Sequence, residues 1–306
     1  MNEKTSKNNI IIEISKDQMT ATVYFDQSQD NTNITYENVL EALSENGICY
    51  GINHEVIKDI LKNNLFSSKV KIAEGRRAVP GLDGKIKYYF QTEKALKPKI
   101  DDSGRADFFN LNMVTSVKKD QLLVEIIPPT EGTEGMTVTG KVIQPKKGKM
   151  PHLVPGKNVY VSEDKYRFYS NIDGQPVIQD NTITVNPVVE LKGDVGPETG
   201  NIDFVGSVIV KGNVSSGYKI KSAGDVEVYG VVEAAEIDAG GSIILHRGIR
   251  GRDKGFLRAG LDVIARFIEN TKVNSGNEII VSEAIMHSHI YAAKSIKVVG
   301  KKGLLV

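Results

Sequence analysis

The chain has 306 residues, 40% hydrophobic and 25% charged, and its 39 Lys and Arg nearly balance 38 Asp and Glu. That length holds two or three domains with substantial cores, while near-neutral charge implies no global field for a polyanion or an acidic partner. One cysteine, Cys49, excludes an intrachain disulfide framework and a cysteine-rich metal site, and fits a reducing compartment. Residues 1–9 carry no signal-peptide hydrophobic core, and no stretch approaches the roughly 20 apolar residues of a membrane span. The expected setting is soluble and cytoplasmic.

Residues 1–68 read as a small α+β module. Ile10–Ile14 and Thr20–Phe25 alternate like two strands joined by Ser15–Gln18. A helix is predicted from Thr35, with Val39, Leu40 and Leu43 on one face, Thr35 and Asn38 at its start, and Gly47 beyond its end. Cys49, in the apolar run Gly47–Gly51, reads as a buried structural thiol. Asn53 is placed to cap a second helix reaching about Asn63, with Val56, Ile57, Ile60 and Leu61 apolar.

Residues 69–187 look almost wholly β. Short strands are predicted at Val70–Ala73, Lys85–Phe90, Leu122–Ile127, Thr137–Ile143, Asn158–Ser162, Arg167–Asn171, Gln175–Ile178 and Thr182–Val185. Turn signals such as Pro80-Gly81, Asp83-Gly84, Pro155-Gly156 and Asp173-Gly174 separate them. A small barrel or sandwich is expected here.

From residue 188 to the C-terminus the chain is periodic. Gly206, Gly224, Gly241, Gly260 and Gly276 each precede alternating Val or Ile, at spacings of 18, 17, 19 and 16 residues. Within this period, inward-type residues recur near every sixth position: Val208, Val214, Ile220, Val226, Val232, Ile237, Ile243 and Ile249, then Leu257, Val263, Val273, Ile279, Ile285, Ile290 and Ile296. Three steps of about six give a three-faced parallel β-helix of 17–18 residues per coil, with about five to six coils. The corner glycines are expected to supply backbone angles that branched residues avoid. One coil cannot bury such residues alone, so stability belongs to the stack.

A linked set of motifs marks a family resemblance. It comprises Glu131-Gly-Thr-Glu-Gly-Met-Thr-Val-Thr-Gly-Lys-Val-Ile143, Pro155-Gly-Lys-Asn-Val159, Gly193-Asp-Val195, Gly200-Asn-Ile-Asp-Phe-Val-Gly206 and Gly248-Ile-Arg-Gly-Arg-Asp-Lys-Gly255. From about Ala73 onward, with Gly75, Pro80, Gly81 and Gly84 at its front edge, the chain resembles the bacterial flagellar assembly protein A family. The resemblance implies a right-handed β-helix and a non-enzymatic role linked to flagellar or cell-pole assembly, with flagellar, polar or signalling proteins as partners. Members of that family continue into a helical, coiled-coil-like region. Since this sequence stops in mid-rhythm at Leu304-Leu-Val306, a fragment of a longer protein is expected, its last coil covered by another segment or another copy.

The sharpest local anomaly is the run His246–Arg258. Arg247, Arg250, Arg252, Lys254 and Arg258 face one acid, Asp253, and the step from Ile249 to Leu257 is eight residues rather than six. A loop bulging from the coil is predicted, either a solvated insertion or a site where arginine forks meet phosphate or carboxylate. Lys141, Lys146, Lys147, Lys149 and Lys157 form a second basic stretch, without interleaved aromatics, that reads as a mobile solvated loop. His287 and His289 have metal-like spacing but no evident third ligand, and a structural or solvent-facing role is expected. Glu190, Asp194, Glu198 and Asp203 lack calcium-loop spacing and read as a cap on the first coil. Neither a phosphate-cradling loop nor a cofactor signature is present.

The resulting expectation is a scaffold or adaptor, not an enzyme, that docks protein partners in the cytoplasm or at the cell pole, with self-association as a secondary property. Two alternatives stand beside it. One is a β-helix acyltransferase with His246 as general base; the other is a polyanion- or nucleic-acid-binding module, which would show steep salt dependence.

Overall fold

In a computed structural model the chain is mainly β, and the described residues are 3–5, 9–25, 34–66, 68–92, 99–100, 106–107, 109, 111, 113–300 and 304–305. It divides into two compact units, one of residues 1–85 and 127–151, the other of residues 86–126 and 152–306. Residues 69–187 are therefore shared between the two units.

The first unit carries an antiparallel sheet in which Glu3–Thr5, Ile10–Ile14, Thr20–Phe25 and Val70–Glu74 pair in sequence order. Between its third and fourth strands lie helix α1 (Tyr36–Glu45) and helix α2 (His54–Lys62). Thr35 and Asn38 close a capping box at the start of α1, each side chain accepting from the other's backbone N–H. Past its end, Gly47 sits at φ +72°. Asn53 caps α2 by accepting from the N–H groups of Glu55 and Val56. Val39, Leu43, Ile57 and Ile60 turn inward onto Ile10, Ile12, Val23 and Ile72, and Val138 joins the same core.

Two readings change here. Thr137–Ile143 is not one strand: Gly135–Met136 pairs antiparallel with Val142–Ile143 across a tight turn in which Gly140 adopts φ +79°. Cys49 is exposed, because its neighbour Ile48 takes the core position while the Cys49 backbone N–H donates to Val138 O at 2.9 Å.

In the second unit, Val159–Val161, Arg167–Ser170, Leu122–Ile127 and Lys85–Tyr88 form one sheet, and Val154–Pro155, Thr182–Asn186 and Gln175–Gln179 form another. Val117, Leu123, Val124, Phe168, Ile183 and Val185 are buried in their common core.

The solenoid begins at Val188 and makes about seven turns of parallel ladder. On its first face Val189, Val208, Val226, Ile243, Val263, Ile279 and Ile296 stack rung on rung. Val195, Val214, Val232, Ile249, Ile268 and Ile285 stack on the second. Ile202, Ile220, Ile237, Leu257, Val273 and Ile290 stack on the third. Nearly all are sealed from water, and only Ile290 and Ile296, in the last rungs described, are not fully buried. The stack exceeds the expected five to six coils, and Ile268, fully buried, supplies the second-face rung between Val263 and Val273 that the sequence pattern omitted.

The periodic glycines have a different cause from the one expected. Gly260 and Gly276 have no positive φ; a Cβ on either would lie 2.1 Å from the carbonyl oxygen of the glycine one coil earlier. Close packing of coil on coil excludes a side chain there. Left-handed backbone instead collects at the corner after the second face, at Gly217, Ala234, Arg252, Asp253, Asn270 and His287.

Candidate functional site

The arginine-rich run lies in the continuous strand Ile243–Ala259 and contains the predicted bulge. Arg250 pairs with Glu269 and Gly255 with Thr271, so five steps along one coil match two along the next. The three extra residues are accommodated by a tight reversal in which Arg252 and Asp253 both adopt left-handed backbone, φ +46° and +61°. Gly251 and Gly255 pinch its base: a Cβ on Gly255 would approach Gly251 Cα to 2.5 Å. The tip, Arg252–Lys254, is exposed.

Three of the five predicted cations already have carboxylate partners one coil away. Arg250 Nε lies 3.8 Å from Glu269 Oε2, and Arg252 Nη2 lies 3.5 Å from Glu233 Oε2. The Arg258 fork is bidentate on Asp238, with Nε donating to Oδ1 at 2.8 Å and Nη2 to Oδ2. Arg258 holds the Asp238 carboxyl below the usual carboxylate range, and Asp238 in turn raises the guanidinium above its ordinary value. These arginine side chains are about 60% exposed or more, so their ion pairs are screened and exchangeable. Arg247 and Lys254 are exposed and have no carboxylate within ion-pair distance among the described residues. The run is thus a charge-compensated ladder with two uncompensated cations.

His246 stands at the edge of this run. Its Nε2 lies 2.6 Å from Glu227 Oε1, and its ring stacks on Tyr229 at 4.2 Å, with Lys211 Nζ 3.8 Å from the centre of the Tyr229 ring. The hydrogen bond with His246 is the main cause that lowers the Glu227 carboxyl.

Of the other sequence-predicted groups, the two histidines stay together and the four acids divide. His287 lies at the left-handed corner and shares a small cavity of about 140 Å³ with His289, Asp253, Asn270, Thr271 and Lys272. Among the described residues no group of three or more His, Cys, Asp or Glu could hold a metal ion. Glu190, Asp194 and Glu198 line a cavity of about 790 Å³ with Leu111, Met113, Leu191 and Pro197. Asp194 also ties the first coil to the second, its Oδ1 accepting from Asn213 N–H at 2.7 Å. Asp203 instead lies on the third face, in register with Lys221. In the second basic stretch, Lys146 O and Lys149 O accept from Gly81 and Gly84 N–H, and Lys147 pairs with Glu131 at 2.6 Å. This segment is tied down by backbone hydrogen bonds, unlike the mobile loop expected.

Residues 10–181 match the Flagellar Assembly Protein A N-terminal region, and residues 187–306 match the Flagellar Assembly Protein A beta solenoid domain. The chain belongs to this family. The match also covers residues 10–72, ahead of the motifs that carried the resemblance. No curated protein and no solved structure matches the chain. Membership implies a role in flagellar assembly. Among the described residues no helix is long and apolar enough to cross a membrane.

Proposed function

We propose that this protein acts in flagellar assembly as a non-enzymatic scaffold, working in the cytoplasm with recruitment to the cell pole, and that it docks an acidic protein partner at the bulge of the solenoid. The observation that carries this reading is the pairing pattern of the cations. Lys254 presents uncompensated charge at the tip and Arg247 at the corner that opens the second face, while Arg250, Arg252 and Arg258 hold carboxylates in exposed pairs that a partner's carboxylates can replace. A stiff stack behind the tip keeps it preorganised, which lowers the ordering cost of docking.

Affinity purification from cells that carry the protein tests this. An Arg247→Ala/Lys254→Ala variant is expected to lose its partner, and Arg250→Ala/Arg252→Ala to weaken capture; unchanged capture by both rejects the docking site. A fluorescent fusion spread evenly through the cell would reject polar recruitment.

One observation favours a second reading. The His246–Glu227 pair is an arrangement that orients an imidazole as a general base, as an acyl-transfer enzyme would need. Clear thermal stabilisation by an acyl-coenzyme A donor, lost in His246→Ala, would favour the enzyme over the scaffold.

A further inference from the structure

We infer that this chain pairs with a second copy of itself through the outer surface of the first solenoid face. Between the two inward residues of each rung one side chain points outward. Down the stack these read Glu190, Ile209, Glu227, Ile244, Ile264, Ile280 and Lys297. Ile244, Ile264 and Ile280 are consecutive, and Ile264 is 39% exposed. The outward row of the third face instead carries Asp203, Lys221, Asp238 and Arg258 in succession, the alternating charge of a solvated surface. Three adjacent isoleucines on a regular parallel sheet are an apolar strip that such a surface does not need.

What selects a second copy is the symmetry of this row. From Glu227 to Lys297 it runs acid, isoleucine, isoleucine, isoleucine, base. Turned end for end about a two-fold axis along the Ile264 strand, it becomes its own complement. Ile264 meets Ile264, Ile244 meets Ile280, and Glu227, held in its own chain by His246 at 2.6 Å, meets Lys297, held by Glu278 at 2.8 Å, so that this charge pair sets the register while the isoleucines supply the contact. The neighbours along the strands agree, since Tyr229 (39% exposed) falls opposite Val299 (63% exposed). Like charges meet only on the axis itself, at Arg266 and Asp262. There Arg266 is held by Glu283 at 2.5 Å, and Asp262 accepts hydrogen bonds from Asn277 Nδ2 and Glu278 N–H. A two-fold axis along the stack would instead set Glu227 on Glu227 and Lys297 on Lys297. Five rungs about 4.8 Å apart and about five residues wide give a patch of roughly 300 Å² per copy. Twice that is below the ~1,000 Å² total of stable interfaces, so the pair is weak and its population rises with concentration.

Cross-linking on the full chain in a Cys49→Ser background tests this, since Cys49 is exposed and would confuse the readout. Ile264→Cys is expected to form a disulfide-linked dimer on mild oxidation, and Lys221→Cys on the third face to stay monomeric. Glu227→Cys and Lys297→Cys should link to each other when mixed, and neither to itself. Sedimentation should show a mass rising with concentration, with loss of the heavier species in Ile264→Lys at unchanged melting temperature. A monomeric mass throughout, with Ile264→Cys no more cross-linked than the Lys221→Cys control, would overturn the pairing; self-linking of Glu227→Cys would overturn its end-for-end arrangement.

Discussion

Val263 and Ile264 are neighbours on one strand, and truncating each tests the solenoid reading with an unintuitive outcome. Val263 is fully buried, stacked between Ile243 and Ile279. Its change to Ala removes two carbons from a sealed site, about 1.6 kcal/mol of transfer free energy, and the cavity term brings the cost to about 2–3 kcal/mol. Ile264→Ala removes three carbons, yet from an outward position 39% exposed, so its cost stays under about 1 kcal/mol. At about 2–4 °C per kcal/mol, the smaller truncation should lower the melting temperature by ~4–12 °C and the larger by a few degrees at most. Calorimetry at low protein concentration, where the paired state is sparse, measures both. A one-residue slip of the strand would exchange the two positions. If Ile264→Ala proves as costly as Val263→Ala, the inward and outward assignment of this face is wrong.

Other expectations follow from local geometry. Thr35→Ala removes the side-chain half of the capping box on α1 and should cost about 1 kcal/mol in denaturant titrations, with Thr35→Ser close to wild type. Gly51 sits at φ +69°, and a Cβ there would lie 1.9 Å from Glu74 O, so Gly51→Ala should destabilise the α+β module more than the cap variant does; equal stability would refute that tight approach. Glu278 is held at about 2, against 4.5 ordinarily, by hydrogen bonds from Lys297 and Ser295. Its folded pKa is below its unfolded one, so its contribution is present above about pH 4.5 and lost as the pH falls toward 2. Urea titrations across that window should show a shallower acid slope for Glu278→Gln, and parallel curves for the two proteins would count against it.

Much of the fold was legible because its determinants are local or strictly periodic. Thr35, Asn38, Gly47 and Asn53 act within a few residues of where they stand, and both helices lie where those residues place them. The inward ladder could be read because a branched aliphatic residue recurs once per face. Where reading went wrong, the deciding contact was distant in sequence or the residue type was ambiguous. Cys49 lies in an apolar run, but the core position next to it goes to Ile48, which only the path of the chain against Val138 decides. The glycine period is visible in the sequence but its cause is not, since the carbonyl that excludes a Cβ at Gly276 belongs to Gly260, one coil earlier.

The same one-coil distance explains why the candidate site was only half legible. The cations and the bulge could be read from the sequence, because both lie within one short run. Their compensation was hidden: Glu233, Asp238 and Glu269 stand 19 or 20 residues from the arginines they meet, a separation that brings side chains together only once the coil length is known. In a solenoid, net charge counted along the chain is a poor guide to surface charge, because the relevant neighbours are one circuit away. Counted along the circuit, Arg250, Arg252 and Arg258 are largely neutralised, and the field that a partner would sense concentrates on Arg247 and Lys254. The same circuit count exposes the outward isoleucine strip, whose members lie 20 and 16 residues apart and share the period of the inward ladder, so that only their register on the face sets them apart.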